Sequence, residues 1–298
     1  MKTTIGRCHH DELSALTALL DNEFVYAKKR HMSLGERYPG VLCKSNLKNI
    51  YVSRQKRSIV ASIVVKPFHW LVNGRGWRGV MLGMVYTKPE IRGQGVASQL
   101  MQHIQEDWAK ADTDFAVLWT GQPEFYRRLG WFSQDQGVLG QAKGQNLSSL
   151  HLIKPKPVTN ANFSWLEMVR SKWVPERAIR SVQDYQVIPL PAESLEMFMV
   201  DQTGSEQGYA LVGRLDDTGY VYELVGDHQA LNLLWQSLVN HYQQIYINDH
   251  QPSISSSWLS ANADIVWIPQ CLAMWHPLSE EIKNVLIGQW YIHYLDRI

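Results

Sequence analysis

The sequence predicts a mixed α/β protein built from two modest domains. Three observations carry that prediction. Residues 81–119 read as strand, loop, amphipathic helix and strand. Residues 197–247 repeat a strand, strand, strand, helix, strand order in weaker form. A chain of 298 residues is long enough for two cores of ordinary size, and 45% apolar with 19% charged residues describes a globular protein.

The elements follow in order. Asp11 is placed to cap a helix running to Phe24, with Leu13, Leu16, Leu20 and Phe24 on one face. Residues 49–53 and 59–65 read as paired strands across the polar turn Arg54, Gln55, Lys56, Arg57. Asn73, Gly74, Arg75 and Gly76 form a turn into a strand that ends near Thr87. After the loop at 92–97, Val96, Leu100, Met101, Ile104 and Trp108 mark the inner face of a helix. An apolar run at 115–119 is the next strand. Glycines and prolines between Gln136 and Pro157 loosen the pattern, so the division is placed as residues 1–157 and 158–298. In the second half, 197–200, 208–212 and 219–225 read as strands. A helix carrying Leu231, Leu234, Leu238 and Tyr242 and a strand at 245–247 complete it.

Composition excludes several classes. No run approaches the roughly 18 apolar residues of a membrane span, and residues 1–10 have no apolar signal core. Cys8, Cys43 and Cys271 are odd in number and far apart, which suits free thiols in a reducing cytoplasm. Residues 1–60 hold 11 Lys+Arg against 5 Asp+Glu, whereas residues 201–298 hold 3 against 11, a balance of −8. A basic first part suits a polyanionic ligand and an acidic last part a cationic one; two differently charged solvated surfaces are the plainer reading. The run Lys28, Lys29, Arg30 is too short for a nucleic-acid patch. Cys8, His9 and His10 lack a second ligand pair for a metal, and the serines between 253 and 257 lack the strand-turn-helix setting of a nucleophile. Trp165, Trp173, Trp235, Trp258, Trp267, Trp275 and Trp290 are explained by core packing more simply than by an aromatic binding groove.

The loop Arg92, Gly93, Gln94, Gly95, Val96, Ala97 lies between a strand and a helix. A glycine-rich loop there aims backbone N–H groups and the positive helix end at an anion, such as a pyrophosphate. Beyond the strand at 115–119 comes Phe125, Tyr126, Arg127, Arg128, Leu129, Gly130, Trp131, Phe132. With Arg92, Gly95 and Ala97 in the loop, and Tyr126 before Gly130 and Trp131, residues 1–155 resemble the GCN5-related N-acetyltransferase (GNAT) superfamily. The resemblance implies a mixed central sheet flanked by helices, followed here by a smaller GNAT-like domain.

It also implies a chemistry. Acetyl-CoA would be the cosubstrate, with no metal, and a small-molecule or peptide amine the acceptor. Backbone amides of Val85, Tyr86 and Thr87 would bind the pantetheine arm and thioester carbonyl. The amides of Arg92, Gly93, Gln94, Gly95, Val96 and Ala97 would take the pyrophosphate. Tyr126 would be the general acid for the leaving thiolate, or else a core tyrosine. No nucleic acid or membrane is implied, and the protein would be a monomer or homodimer. Many relatives carry a carboxylate base on the fourth strand, but residues 81–87 contain none. Glu23, Glu36, the terminal carboxylate of Ile298 and a water chain all remain candidates. The second half lacks the loop: Gly226, Asp227, His228 and Gln229 add a carboxylate that would repel phosphate. It is either a degenerate GNAT-like domain or an unrelated α/β domain. Tandem arrangements occur in the enhanced-intracellular-survival aminoglycoside acetyltransferases, which the protein resembles in its first domain only. The alternative function is a non-catalytic acetyl-CoA-binding or protein-interaction module that keeps the fold.

Overall fold

The computed structural model describes residues 3–146, 152–188, 195–201, 206–286 and 291–298. Trp290 lies outside them. The first half runs β1 (Thr4–Arg7), α1 (Leu13–Phe24), α2 (Leu34–Arg37), β2 (Ile50–Gln55), β3 (Ser58–Val72) and β4 (Arg75–Thr87). It continues with α3 (Val96–Lys110), β5 (Phe115–Trp119), α4 (Pro123–Arg127), β6 (Phe132–Ser133) and β7 (Gly137–Lys143). Then follow β8 (Lys156–Pro157), α5 (Phe163–Trp173), β9 (Arg177–Ala178) and α6 (Val182–Gln186). The second sheet adds β10 (Leu195–Asp201), β11 (Gln207–Leu215), β12 (Thr218–Gly226), α7 (His228–His241) and β13 (Gln244–His250). Last come α8 (Ile254–Asn262), β14 (Val266–Pro269), β15 (Ala273–Pro277) and α9 (Glu280–Leu286).

Two mixed sheets result. One has the order β1-β2-β3-β4-β5-β15-β6, with β9 beside β3; the other has the order β14-β7-β13-β12-β11-β10-β8. In each, three antiparallel strands are followed by a helix and a parallel strand: β2-β3-β4 then α3 and β5, and β10-β11-β12 then α7 and β13. This matches the repeated order read from the sequence. The sheets do not divide at residue 157, however. β7 from the first half pairs with β13 and β14, and β15 from the second half sits between β5 and β6. Each half lends strands to the other, β7 and β8 to the second sheet and β9 and β15 to the first.

Periodicity explains the packing. All five residues marked on the inner face of α3 are buried, against Ala61, Ile63, Val80, Leu82, Ala116 and Leu118 of the sheet. On the other side of this sheet Trp70, Phe115 and Trp275 stack closely, with Trp70 and Trp275 centroids 5.6 Å apart. In the second sheet Leu231, Leu234, Trp235 and Leu238 of α7 pack on one face, while Phe163, Leu166 and Val169 of α5 pack on the other. Trp165, Trp173, Trp258 and Trp267 are partly buried against these two cores, so the tryptophans serve packing. The start of the first helix departs from expectation. A single 3-10 turn, His10–Glu12, precedes α1, and Glu12 accepts from the His9 amide at 2.7 Å where Asp11 was expected to cap.

Candidate active site

The site begins with a local irregularity. β4 pairs in parallel with β5 from Gly79↔Phe115 to Leu82↔Leu118, and there the pairing stops. On its other edge, β4 places Met84 and Val85 opposite the single residue Ile63, between the pairs Val64↔Gly83 and Ser62↔Tyr86. Met84 takes a left-handed φ of 52° at this bulge. A bulged strand bends, so β4 leaves β5 and its backbone groups beyond Leu82 face open space. The resulting cleft has a volume of ≈ 940 Å³. Its walls are residues 82–87 of β4, residues 118–122 beyond β5, Phe125 and Tyr126 of α4, and the loop before α3.

The loop presents the anion-binding geometry. Gly93 and Gly95 have φ of 78° and 79°, and Gly95 caps α3 with no side chain to bond the helix. The first amides of α3, at Val96, Ala97 and Ser98, therefore keep their hydrogen-bonding capacity at the positive end of the helix and line the cleft. A Cβ on Gly93 or Gly95 would meet no heavy atom within 4 Å, so the space beyond them is open rather than filled. Lys28, Arg92 and Arg128 add positive charge to the rim. Val85, Tyr86, Thr87, Arg92, Gly93, Gly95, Val96 and Ala97 all line the cleft. Gln94 does not; its side-chain amide donates to the Glu90 carbonyl at 3.4 Å. Arg127 turns away to Glu124 and Ser133.

Tyr126 is buried and lines the cleft from the far wall. It meets Phe125 and Trp131 edge-on, with ring centroids at 4.9 and 6.1 Å. Burial pushes its phenol pKa up to about 12, so it carries its proton at any ordinary pH.

The structure sorts the carboxylates considered as bases. Glu23 reaches the cleft but is held by Arg92, 2.8 Å away, whose Nε also donates to the Thr87 carbonyl at 2.9 Å. Glu36 is exposed and spent on the N-terminus of α2, where it accepts from the Ser33 hydroxyl and amide at 2.6 and 2.9 Å. Those same bonds lower its pKa. Ile298 alone of these lies against β4: its backbone carbonyl carbon and oxygen would be 3.2 and 3.3 Å from a Cβ on Gly83. No local signal in the sequence indicated the residues that hold this segment there, Arg170, Arg180 and Lys66.

The second sheet repeats the opening but not the anion site. β12 carries an extra residue, Tyr222, between the pairs Val212↔Val221 and Leu211↔Glu223, and its parallel pairing with β13 ends at Val221↔Ile247. A cavity of ≈ 450 Å³ lies beyond that point. Here Asp227 caps α7, accepting from Gln229 and Ala230 amides at 3.0 and 2.9 Å. A fixed carboxylate thus occupies the position an anion would take.

The acetyltransferase (GNAT) domain family matches residues 6–133, which contain the bulge, the loop, α3, β5 and Tyr126. The match is to less than half of the protein. The solved structures extend the likeness of fold over nearly the whole protein. A GCN5-related N-acetyltransferase from Anabaena variabilis is 15% identical with a TM-score of 0.74, covering 94% of this chain and 74% of its own. One from Kribbella flavida is 15% identical with a TM-score of 0.71, over 93% of this chain and 71% of its own. Eis1 from Mycobacterium abscessus is 13% identical with a TM-score of 0.66, over 94% of this chain and 74% of its own. No curated protein sequence matches this one. Among the described residues no helix is long and apolar enough to cross a membrane.

Proposed function

We propose that the protein is an N-acetyltransferase that moves an acetyl group from acetyl-CoA directly to a primary amine. One observation carries this reading: the open edge of β4, the uncapped end of α3 and the Tyr126 phenol converge on a single cleft. A pyrophosphate suits the amides of Val96, Ala97 and Ser98, and a pantetheine arm suits the backbone of Val85, Tyr86 and Thr87 left unpaired by β5. Acyl transfer needs a donor toward the developing oxyanion and a proton for the leaving thiolate. In this reading the β4 amides meet the first need and Tyr126 the second.

The non-catalytic alternative draws support from the Tyr126 ring, which also packs between Phe125 and Trp131, and from Glu23, which is already paired. Calorimetry with acetyl-CoA and CoA, followed by a thiol-release assay over an amine panel, decides between them. Tight binding without turnover of any amine would favour the module.

For the acceptor we propose a cationic amine, with an electrostatic pull smaller than the −8 balance of residues 201–298 suggests. Glu223 and Asp296 are buried against Arg170 and Arg180, and Asp227 is spent capping α7. Salt should lower kcat/KM for such an amine modestly, since screening acts over about 8–10 Å near physiological ionic strength. A salt-independent rate with a neutral preferred acceptor would defeat this part. Free thiols at Cys8, Cys43 and Cys271 support a cytoplasmic setting.

A further inference from the structure

The segment that reaches β4 is held by buried charges of the second half and by the half-buried Lys66 of the first. Asp296 is 4% exposed; it accepts from Arg180 Nε at 2.6 Å and from an Arg170 terminal nitrogen at 3.0 Å. Arg180 also donates to Glu223 at 2.5 Å, and Glu223 accepts from the Tyr209 hydroxyl at 3.0 Å. From β3 in the first sheet, Lys66 Nζ donates to the Asp296 backbone carbonyl at 2.9 Å. The next residue, Arg297, lies over Trp119 at the end of β5, 4.8 Å from its ring centroid. Ile298 then meets Gly83 at the bulge.

Arg170 and Arg180 face the carboxylates of Glu223 and Asp296, Arg170 also lies 3.6 Å from Glu167, and Lys66 adds a third cation beside Asp296. Burial alone would raise the Asp296 pKa, but the two guanidiniums overcome it and keep the carboxylate ionised. Apolar side chains of equal volume generally hold a segment at least as firmly as a buried ion network, whereas ionic geometry selects one register. Building on the acyl-transfer reading, we propose that Arg170, Arg180, Glu223, Asp296 and Lys66 form a positioning clamp. It fixes the register of residues 296–298 against the β4 bulge, so that presentation of the acceptor amine depends on residues of the second half.

Lys66→Met and Arg180→Lys test this, with Lys66→Arg as the conservative control. Three quantities are measured on the full-length protein: hydrogen exchange in the peptide spanning 291–298, acetyl-CoA affinity by calorimetry, and kcat and KM with spermidine as amine. Lys66→Met and Arg180→Lys should lose exchange protection in that peptide and keep acetyl-CoA affinity. Their kcat should fall by about 10–100-fold, the scale of a small displacement of reacting groups. Lys66→Arg should restore both protection and rate. Unchanged exchange in both variants overturns the clamp, and faster exchange with an unaltered kcat overturns its positioning role. Wild-type protein that binds acetyl-CoA but acetylates no spermidine overturns that role together with the proposed acceptor. Wild-type protein that fails to bind acetyl-CoA defeats the functional reading by itself, and the exchange arm still decides the clamp.

Discussion

Gly95→Val should leave a folded protein that no longer binds acetyl-CoA. The residue sits at φ 79° as the cap of α3, a conformation a β-branched side chain resists. Two consequences follow, and they act on different properties. A left-handed residue costs roughly 1–2 kcal/mol when it carries a side chain. On an exposed loop that is a small part of a typical stability of about 5–15 kcal/mol, so folding should survive. A Cβ there would meet no heavy atom within 4 Å, and Gly95 lines the cleft in which the pyrophosphate would rest on the amides of Val96, Ala97 and Ser98. Relief of the strain would also turn those amides from their common aim. Gly74→Val is the matching control. That glycine has φ 74° at the tip of the β3-β4 hairpin with nothing within 4 Å, so it carries the same backbone cost away from the cleft. Calorimetry should show acetyl-CoA binding lost in the first variant and kept in the second. Equal binding in both, with both folded, would mean that the cofactor lies elsewhere.

The parts of this site that were legible in the sequence are those whose cause is local. The inner face of α3 follows from residues three and four apart, and the loop follows from two glycines beside a helix start. Tyr126 is singled out by the family resemblance, which rests on its placement before Gly130 and Trp131. What was not legible depends on residues far apart. Nothing in residues 273–277 says that they will pair with β5 rather than with a neighbour, and nothing in residues 137–143 says that they will join the other sheet. Asp296 lies 126 residues from Arg170 and 116 from Arg180, beyond any periodicity. The bulge was hidden for a different reason. Its left-handed position falls on Met84, although Gly83 stands next to it and would have been the natural choice. These gaps have a practical consequence. Deleting residues 158–298 to isolate the first domain would remove β15 from between β5 and β6 and strip Trp275 from Trp70. Point variants are therefore the sound way to separate the roles of the two halves.

Tyr126→Phe should lower kcat by about 10²–10⁴-fold, the usual scale for one general acid, while acetyl-CoA affinity stays nearly unchanged. Removing one oxygen keeps the ring, and with it the edge-on contacts to Phe125 and Trp131 that hold α4 in place. Any loss is then a loss of the hydroxyl alone, which Tyr126→Ala could not establish. The protonation state is favourable: burial raises the pKa to about 12, so the phenol is present in its acid form well above neutral pH. At first sight the same shift weakens the acid, because an ordinary thiol has a pKa of about 8.5 and transfer from the phenol would run uphill. But the thiolate would form beside the same buried ring, and desolvation raises the pKa of both anion-forming groups. What governs the transfer is their difference, which burial changes far less than either value. The direction of the pH dependence follows. Ionisation of Tyr126 should not reduce kcat between neutral pH and about pH 10, since loss of its proton belongs near the raised pKa. A variant with wild-type turnover would remove Tyr126 from the chemistry and leave it as a packing residue between Phe125 and Trp131.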